Sequence, residues 1–487
     1  MGKSIARNAF FNLAYKALSV IFPLVTVSYA SRILGPSGMG DVSSAQNLVS
    51  YFVMIASLGI PSYGVRVIAQ MRSNKEKCNR TFTELFVINL ISSGVATLIY
   101  FVSIISIGTL DRLKTLNYIF SILIIFNVFN IDWVYQAMEE YKYIAYRSFV
   151  IKIISLIMLI CFVKSKNDIL IYAGIVCFGT VGNYILNMFQ LKKYVRFNFK
   201  ELKIGKHMIP VLIFFASVIA VELYSMIDVT MLTYMTNSVS VGYYTNASKI
   251  IKTFSGTITA IGAVLLPRLS IYYAEEKMED FKNVVNEMIR TILILTIPAS
   301  VGICFVAKDI VLFMFGKEFL PSTQIIQILS PLIVFMSLSG GIGAQILQTT
   351  NHERKYLAAV CAGAVMNLVL NFILIPLYKQ NGAAIASTIT EAVVTVVMFL
   401  QCTKIMTPQI EKRFVGEVLV AVATMIGGVF VCQILTKEAN IISRLVIEVV
   451  IGSIVYLGIL LVLKNEEIVQ GIKKIQMKMR SSLNDHA

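Results

Sequence analysis

The chain has 487 residues, of which 57% are apolar and 14% are charged, and its mean hydropathy is +0.75. Soluble globular proteins carry about 25% charged residues, so the composition excludes a soluble dehydrogenase, a barrel hydrolase and a β-sandwich. The formal net charge of +16 would suggest nucleic-acid binding in a soluble protein, but in membrane proteins basic residues collect in the cytoplasmic loops. We therefore expect an integral membrane protein that binds no nucleic acid.

Apolar segments long enough to cross a bilayer follow one another along the chain. A membrane-spanning helix needs about 20 residues, and a window of about 19 residues predicts fourteen such helices. They lie near 10–33, 41–61, 82–107, 115–135, 144–163, 168–190, 208–233, 241–266, 287–307, 321–347, 356–377, 382–403, 414–435 and 442–463. The longest connections, 62–81, 191–207 and 267–286, leave no room for an inserted soluble domain. The sequence thus predicts an all-α integral membrane fold.

The predicted loops differ in charge on the two sides of the membrane. The side that includes both termini carries 29 Lys and Arg residues, and the other side carries 10. Short loops rich in Lys and Arg stay in the cytoplasm. We therefore expect both termini in the cytoplasm.

Two predicted helices begin with similar sequences. Gly40-Asp-Val-Ser-Ser-Ala45 opens the second helix, and Gly242-Tyr-Tyr-Thr-Asn-Ala247 opens the eighth. Internally repeated halves are typical of transporters that alternate access to a central site. The pattern suggests two six-helix halves followed by a further pair, although small residues also recur at helix starts by chance.

Lysines lie inside two predicted membrane helices, on faces that are otherwise polar. Asn12 and Lys16 share one face of the first helix, and Lys249 and Lys252 lie on a similar stripe of the eighth. An ionised side chain near the bilayer centre costs about 2.5 to 3.5 kcal/mol, so these residues predict a polar cavity that takes an anionic ligand. Alternatively, the lysines extend to the membrane interface or pair with intramembrane acids.

Carboxylates also lie in or at the ends of predicted helices. They are Asp132, Glu222, Asp228 and Glu391. A buried carboxylate can bind a proton or Na⁺ and so couple transport to an ion gradient, or it can be a fixed salt-bridge partner of a lysine. The sequence leaves both roles open. The amide pairs Asn183/Asn187 and Asn367/Asn371 have the spacing to contact sugar hydroxyls, but such amides more often join helices.

Catalytic and cofactor motifs do not occur in the sequence. The three histidines lie in predicted loops or in the tail, and the seven cysteines form no C-x-x-C pair. No nucleophile elbow, zinc motif or phosphate loop is present. We therefore predict a protein that is not an enzyme, needs no metal or cofactor, and draws on an ion gradient, the membrane potential or the gradient of its substrate.

Two segments resemble a known family. LGPSGMG at Leu34–Gly40 follows the first helix, and NIDWVYQAMEEYKY at Asn130–Tyr143 ends the fourth. With fourteen helices in a six plus six plus two layout, the whole chain resembles the polysaccharide flippases, which handle O-antigen or capsule repeat units. These belong to the multidrug/oligosaccharidyl-lipid/polysaccharide exporter superfamily.

The resemblance implies a flippase that moves an oligosaccharide linked to undecaprenyl pyrophosphate from the cytoplasmic to the outer leaflet. It implies lobes over 1–200 and 201–407, followed over 408–487 by a helix pair and a basic tail. The expected location is the bacterial cytoplasmic membrane. Expected partners are the lipid-linked substrate, membrane lipids, H⁺ or Na⁺, and a polysaccharide polymerase with its chain-length regulator.

The resemblance also implies a cationic cavity lined by helices 1, 2, 7 and 8. Lys16, Lys249 and Lys252 match this cavity by helix, and Arg32 and Arg66 flank it. Relatives often use arginine at such a site. Lysine keeps the positive charge but not the bidentate contact with phosphate.

Three other functions remain open. A cation-coupled multidrug extruder shares the fold, but its cavity should be acidic and aromatic rather than lined by lysines. A lipid II flippase belongs to the same superfamily. A glycan polymerase or membrane acyltransferase usually needs a sizeable outer loop or an intramembrane histidine, and the largest predicted outer loop, 308–320, is short.

Overall fold

The computed structural model describes residues 5–106, 108–263, 266–403 and 405–469. The side chains of residues 5–21, and of a few later positions, lie outside this description. The regular structure in these ranges is helical, and no β-strand occurs among the described residues. The predicted all-α class is therefore confirmed.

The described residues form eighteen α-helices, numbered in chain order. They are α1 Ile5–Ser57, α2 Ile60–Met71, α3 Lys75–Ser106, α4 Lys114–Ile125, α5 Asp132–Ala137, α6 Tyr141–Phe162, α7 Ile169–Tyr194, α8 Gly205–Met235, α9 Ser238–Ala263, α10 Leu266–Ala274, α11 Met278–Met314, α12 Ser322–Leu329, α13 Leu332–Leu338, α14 Ala344–Thr349, α15 Glu353–Tyr378, α16 Gln380–Cys402, α17 Lys412–Leu435 and α18 Ile441–Val462. Short 3-10 segments at Gly108–Leu113, Phe126–Phe129 and Lys317–Phe319, and a π-helical segment at Ser339–Gly343, complete the helical structure.

Many of these helices have the length and composition of membrane spans. Eleven helical segments of the described chain are long and apolar enough to cross a bilayer, and α8 and α9 are not among them. Large apolar side chains lie exposed along α18, including Val446 at 55% and Ile454 at 64%. Contiguous exposed apolar surface of this kind suits lipid rather than water. The count of fourteen spans stays a prediction.

Gly35 divides α1 into the first two predicted spans. Its φ of 70° and ψ of 179° are not helical, and glycine reaches positive φ without a steric penalty. Pro36 follows, and because proline lacks a backbone N–H it is tolerated at the start of a helix. The break predicted from the sequence, between the spans 10–33 and 41–61, lies in the same segment.

Two segments predicted as connections are largely helical. The structure has α2 and the first turns of α3 in the range 62–81, and α10 and the first turns of α11 in the range 267–286. A hydropathy window misses such segments because their charged faces lower the mean hydropathy, although an amphipathic helix forms equally well.

The chain divides into two compact units. One contains the described residues up to Asn246 together with Asn371–Gln380, and the other contains Ala247–Leu370 and the described residues from Asn381 onward. By this division α8 belongs to the first unit. The two predicted six-helix lobes, with boundaries at 200 and 407, remain a prediction.

Trp133 lies at the centre of a buried cluster in the first unit. Its side chain is 2% exposed, and its ring centroid lies 5.9 Å from that of Phe82. A Cβ atom at Gly64 would come within 2.5 Å of the indole, so only glycine lets α2 approach this closely. This packing fixes the start of α5, where Asp132 lies.

Candidate functional site

Uncharged polar side chains join α1 to α8 and to the first turns of α9 within the first unit. We call this set the α1 seam. Its hydrogen bonds are Ser31 with Asn246 (2.7 Å), Ser43 with Thr245 (3.2 Å), Ser44 with Thr233 (2.9 Å), Asn47 with Thr230 (2.7 Å) and Tyr51 with Thr230 (2.8 Å). Hydroxyl and amide pairs of this kind hold membrane helices together with about 0.6 kcal/mol each. They can break and form again without exposing a charge.

Two glycines let the backbones of α1 and α9 touch at one end of the α1 seam. A Cβ atom at Gly40 would overlap the carbonyl oxygen of Ser238, and a Cβ atom at Gly242 would overlap the carbonyl oxygen of Pro36. We call this contact the glycine crossing. It brings together the two segments whose similar sequences suggest an internal repeat.

Asp41 lies beside the glycine crossing. The Ser238 hydroxyl donates a hydrogen bond to its carboxylate, and Arg112 Nη2 lies 3.5 Å from it. Ser238 begins α9, where a negative charge is favoured by the helix dipole. The carboxylate therefore helps to fix the start of α9 against α1.

The two predicted ligands on α9 share one exposed face. Lys249 and Lys252 are both exposed, whereas Ile250, Ile251 and Ser255 are buried. Residues three positions apart on a helix are neighbours, so the two ammonium groups lie on one side of α9. The structure thus gives α9 one exposed face that carries both lysines, and their role as ligands stays a prediction.

The other predicted ligands lie on α1 and α2. Arg32, three residues before the bend at Gly35, is exposed, and Arg66 is exposed on α2. Asn12 and Lys16 lie outside the residues whose side chains the structure describes.

Asp228 on α8 is buried and accepts hydrogen bonds from uncharged groups. The Tyr244 hydroxyl donates to Oδ2 at 2.5 Å, and the Asn371 amide donates to Oδ1 at 2.7 Å. The side chain is 5% exposed. Glu222, six residues earlier on the same helix, is half-buried. The hydrogen bond from Asn371 to the Asp228 carboxylate therefore joins α15 to α8.

Asp132 forms a partly buried network with Arg147, an arginine that the sequence analysis did not single out. Arg147 Nη2 lies 3.0 Å from both Asp132 oxygens, and Arg147 Nε donates to Asn183 Oδ1 at 3.1 Å. Asn187 accepts from Arg147 Nη1 and donates to Asp132 at 2.7 Å. Asp132 is thus paired with an arginine, and both amides join helices α5, α6 and α7.

Glu391 lies beside the π-helical segment Ser339–Gly343 in the second unit. It is 5% exposed, and the Ser339 hydroxyl donates to it at 2.6 Å. A π-helical turn inside a helix often marks a functional site. The contact joins α16 to the first residue of the π-helical segment.

Glu84 on α3 forms a second network that the sequence analysis missed. The fully buried carboxylate binds Lys206 Nζ at 2.8 Å, His207 Nε2 at 2.9 Å and the backbone N–H of Lys203 at 2.7 Å. Tyr63 contacts the other ring nitrogen of His207 at 2.8 Å. The sequence signal that could have identified this network is Glu84 itself, an acidic residue inside an apolar predicted helix. The residues that contact Glu84 hold the start of α8 against α2 and α3.

Within the described ranges, no three His, Cys, Asp or Glu side chains gather where they could hold a metal ion.

Comparison with known proteins places this arrangement in a family. A protein of Escherichia coli strain K12 named "Putative O-antigen transporter" is 24% identical over 414 residues, which cover 82% of this chain and 96% of that protein. Among solved structures, the lipid II flippase MurJ in its inward closed conformation aligns with a TM-score of 0.76 at 15% identity, covering 93% of this chain and 98% of that chain.

The second structural match extends the likeness to drug transporters. An inward-facing multidrug resistance MATE family transporter of the MOP superfamily aligns with a TM-score of 0.66 at 14% identity, over 81% of this chain and 97% of that chain. At this identity the two structures show the fold alone.

Residues 5–273, more than half of the chain, match the family described as polysaccharide biosynthesis protein. The predicted resemblance is confirmed, and the chain belongs to the polysaccharide biosynthesis protein family.

Proposed function

We propose that the protein is a flippase for oligosaccharide repeat units linked to undecaprenyl pyrophosphate. It works in the cytoplasmic membrane of a bacterium, with both termini in the cytoplasm, and moves its substrate from the cytoplasmic to the outer leaflet. The family, the O-antigen relative and the shared fold with a lipid flippase support this proposal.

The observation that carries the proposal is the pair of exposed lysines on α9. Lys249 and Lys252 present two positive charges on one side of a helix in the predicted membrane region. A pyrophosphate group needs such charges because an anion is costly in a medium of low dielectric constant. The oligosaccharide finds hydroxyl and amide partners of the kind that occur along the α1 seam.

The α1 seam supports alternating access. Its hydrogen bonds join α1 to α8 and α9, and the resemblance assigns these helices to two different lobes. Because the bonds are between uncharged groups, separating them is less costly than breaking buried ion pairs. We propose that the α1 seam and the glycine crossing separate during each transport cycle.

Lys249 and Lys252 are tested in proteoliposomes that contain an undecaprenyl-pyrophosphate oligosaccharide, by measuring how much of it reaches the opposite leaflet. The double variant Lys249→Ala/Lys252→Ala should lower the transport rate at least about tenfold, because one lost charge-assisted contact is worth about 1.5–3 kcal/mol. The double arginine variant should keep most of the rate, since the charge is retained.

The matched control is Lys200→Ala/Lys203→Ala. These two exposed lysines have the same spacing and lie before α8, so the variant removes the same charge and should transport normally. Normal transport by a well-folded Lys249→Ala/Lys252→Ala variant would remove both residues from the mechanism.

A disulfide across the α1 seam tests alternating access. Ser43 and Thr245 hydroxyl oxygens lie 3.2 Å apart, so cysteines at both positions should cross-link in a background that lacks the exposed Cys161 and Cys361. Oxidation should stop transport and a reductant should restore it, whereas the single Ser43→Cys variant should be insensitive to oxidation. Full transport by the cross-linked protein would show that the α1 seam stays closed during the cycle.

Asp228 is the proposed site for the coupling ion. It is a buried acid on α8, and the Tyr244 hydroxyl and the Asn371 amide both donate hydrogen bonds to it. If it binds H⁺ or Na⁺, Asp228→Asn should remove the dependence of transport on the corresponding gradient while binding of the substrate remains. Equal dependence in the variant and the wild type would make Asp228 structural.

The same vesicles distinguish the alternative substrates. Lipid II and a cationic dye are offered in place of the oligosaccharide carrier. Translocation of lipid II alone would assign the protein to peptidoglycan precursors, and dye export that survives loss of both lysines would assign it to drug extrusion.

A further inference from the structure

Three charged side chains meet in the second unit, between α11 and α18. Arg444 Nε lies 3.0 Å from Asp309 Oδ2 and 3.0 Å from Glu448 Oε1. The side chains of Asp309 and Glu448 are 4% and 0% exposed, and that of Arg444 is 24% exposed. One guanidinium therefore faces two buried carboxyl groups, which leaves a formal excess of one negative charge if both are ionised.

One oxygen of this cluster lacks a hydrogen-bond donor. Glu448 Oε2 is buried and receives no N–H or O–H group from the described residues. The Asp309 and Glu448 carboxyl groups both contact the same Arg444 nitrogen and so lie side by side, but two ionised carboxylates have no hydrogen to share. Buried polar atoms are normally hydrogen-bonded, so this oxygen points to a missing ligand.

Other charged residues nearby do not supply the missing charge. Lys308 precedes Asp309 in the sequence, and Lys437 and Glu438 follow the end of α17, which packs against α18. All three are exposed, and none forms an ion pair with Glu448 in the described part of the chain.

A carboxylate on α17, which packs against α18, shows the contrast. Glu417 on α17 binds Arg413 Nε at 2.8 Å through Oε1 and accepts from Asn465 at 2.7 Å through Oε2. Both of its oxygens therefore have hydrogen-bond donors. It is therefore a matched control for Glu448.

We propose that Asp309, Arg444 and Glu448 form a binding site for one proton, which the two carboxyl groups share. The proton bonds to one carboxyl oxygen, and the resulting O–H donates to the other carboxylate. The bound proton cancels the excess charge in a medium where a buried net charge is costly, and it removes the one unmet hydrogen bond. This site does not depend on the proposed substrate.

Infrared spectroscopy of the purified full-length protein tests the proposal, with the carbonyl stretch of a protonated carboxyl group as the readout. At pH 7 a free carboxyl group, with a pKa of about 4, is ionised and lacks this band. The wild type should show the band at pH 7. Glu448→Gln and Asp309→Asn should each lose one carboxyl group's intensity, while Glu417→Gln should keep the wild-type spectrum.

Three outcomes would overturn the proposal. The wild type could lack the band at pH 7, a reading that needs no variant to fold. Both Glu448→Gln and Asp309→Asn could keep the full band, which would place the protonated group elsewhere. Replacing K⁺ by Na⁺ could abolish the band at constant pH, which would identify the ligand as a metal cation rather than a proton.

Discussion

An arginine lies among buried polar side chains in each of the two units, and the two sites differ in their number of acids. Arg147 in the first unit faces one carboxylate, Asp132, and its other N–H groups donate to amide oxygens. Arg444 in the second unit faces two carboxyl groups, Asp309 and Glu448. In the first site one arginine pairs with one carboxylate, so we interpret this site as a structural contact between helices. In the second site one carboxyl group is in excess, and we propose that it binds a proton.

The largest expected effect follows from removing the arginine of the matched site. Arg147→Ala leaves Asp132 without its cation and the Asn187 amide oxygen without a donor, whereas Asn183 still accepts from Ser148. We therefore expect a loss of about 3–5 kcal/mol in the free energy of unfolding. Thermal unfolding in detergent, followed by the emission of Trp133, the chain's single tryptophan, reports on this site directly. Arg147→Lys should recover part of the loss. An unchanged unfolding curve for Arg147→Ala would refute the structural role.

Removing the arginine of the surplus-acid site should have a smaller effect. In Arg444→Ala, Asp309 and Glu448 can each take up a proton, which leaves no buried charge, so we expect a loss of about 1–3 kcal/mol. The same unfolding experiment gives the value, and the Trp133 emission of the folded protein should stay unchanged because Trp133 lies in the other unit. A loss as large as that of Arg147→Ala would indicate that the two sites do not differ as proposed.

The smallest effect is expected where an arginine pair is open to solvent. Arg72 and Glu139 lie 3.1 Å apart, with side chains 53% and 58% exposed. Water already satisfies both groups, so Arg72→Ala should change the free energy of unfolding by less than about 1 kcal/mol. This variant gives the reference value against which the losses in Arg147→Ala and Arg444→Ala are compared. A loss of unfolding free energy near that of Arg147→Ala would show that burial does not determine how much an arginine stabilises the protein.

The helices were largely predictable because the bilayer fixes their length and composition. The predicted spans 414–435 and 442–463 agree closely with Lys412–Leu435 and Ile441–Val462. Hydropathy alone could not reveal α2 or α10, whose polar faces lower the window average. Local composition predicts a span, but it does not predict an amphipathic helix at its end.

The candidate site was predictable only in part. The stripe on α9 identified Lys249 and Lys252, and the structure leaves both exposed on one face. Arg147 lies within the predicted span 144–163 but was not identified, because its partners come from two other helices, α5 and α7. Tertiary packing decides which charged side chains contact each other. A single sequence carries little information about that packing.

The glycine crossing limits how this part of the chain can change over evolutionary time. At Gly40 and Gly242 the neighbouring group is a backbone carbonyl, not a side chain, so a larger residue at one position has no compensating substitution at the other. The smallest amino acid already occupies both places. Mutational drift elsewhere in α1 and α9 can be absorbed by repacking, whereas these two positions admit no second-site suppressor.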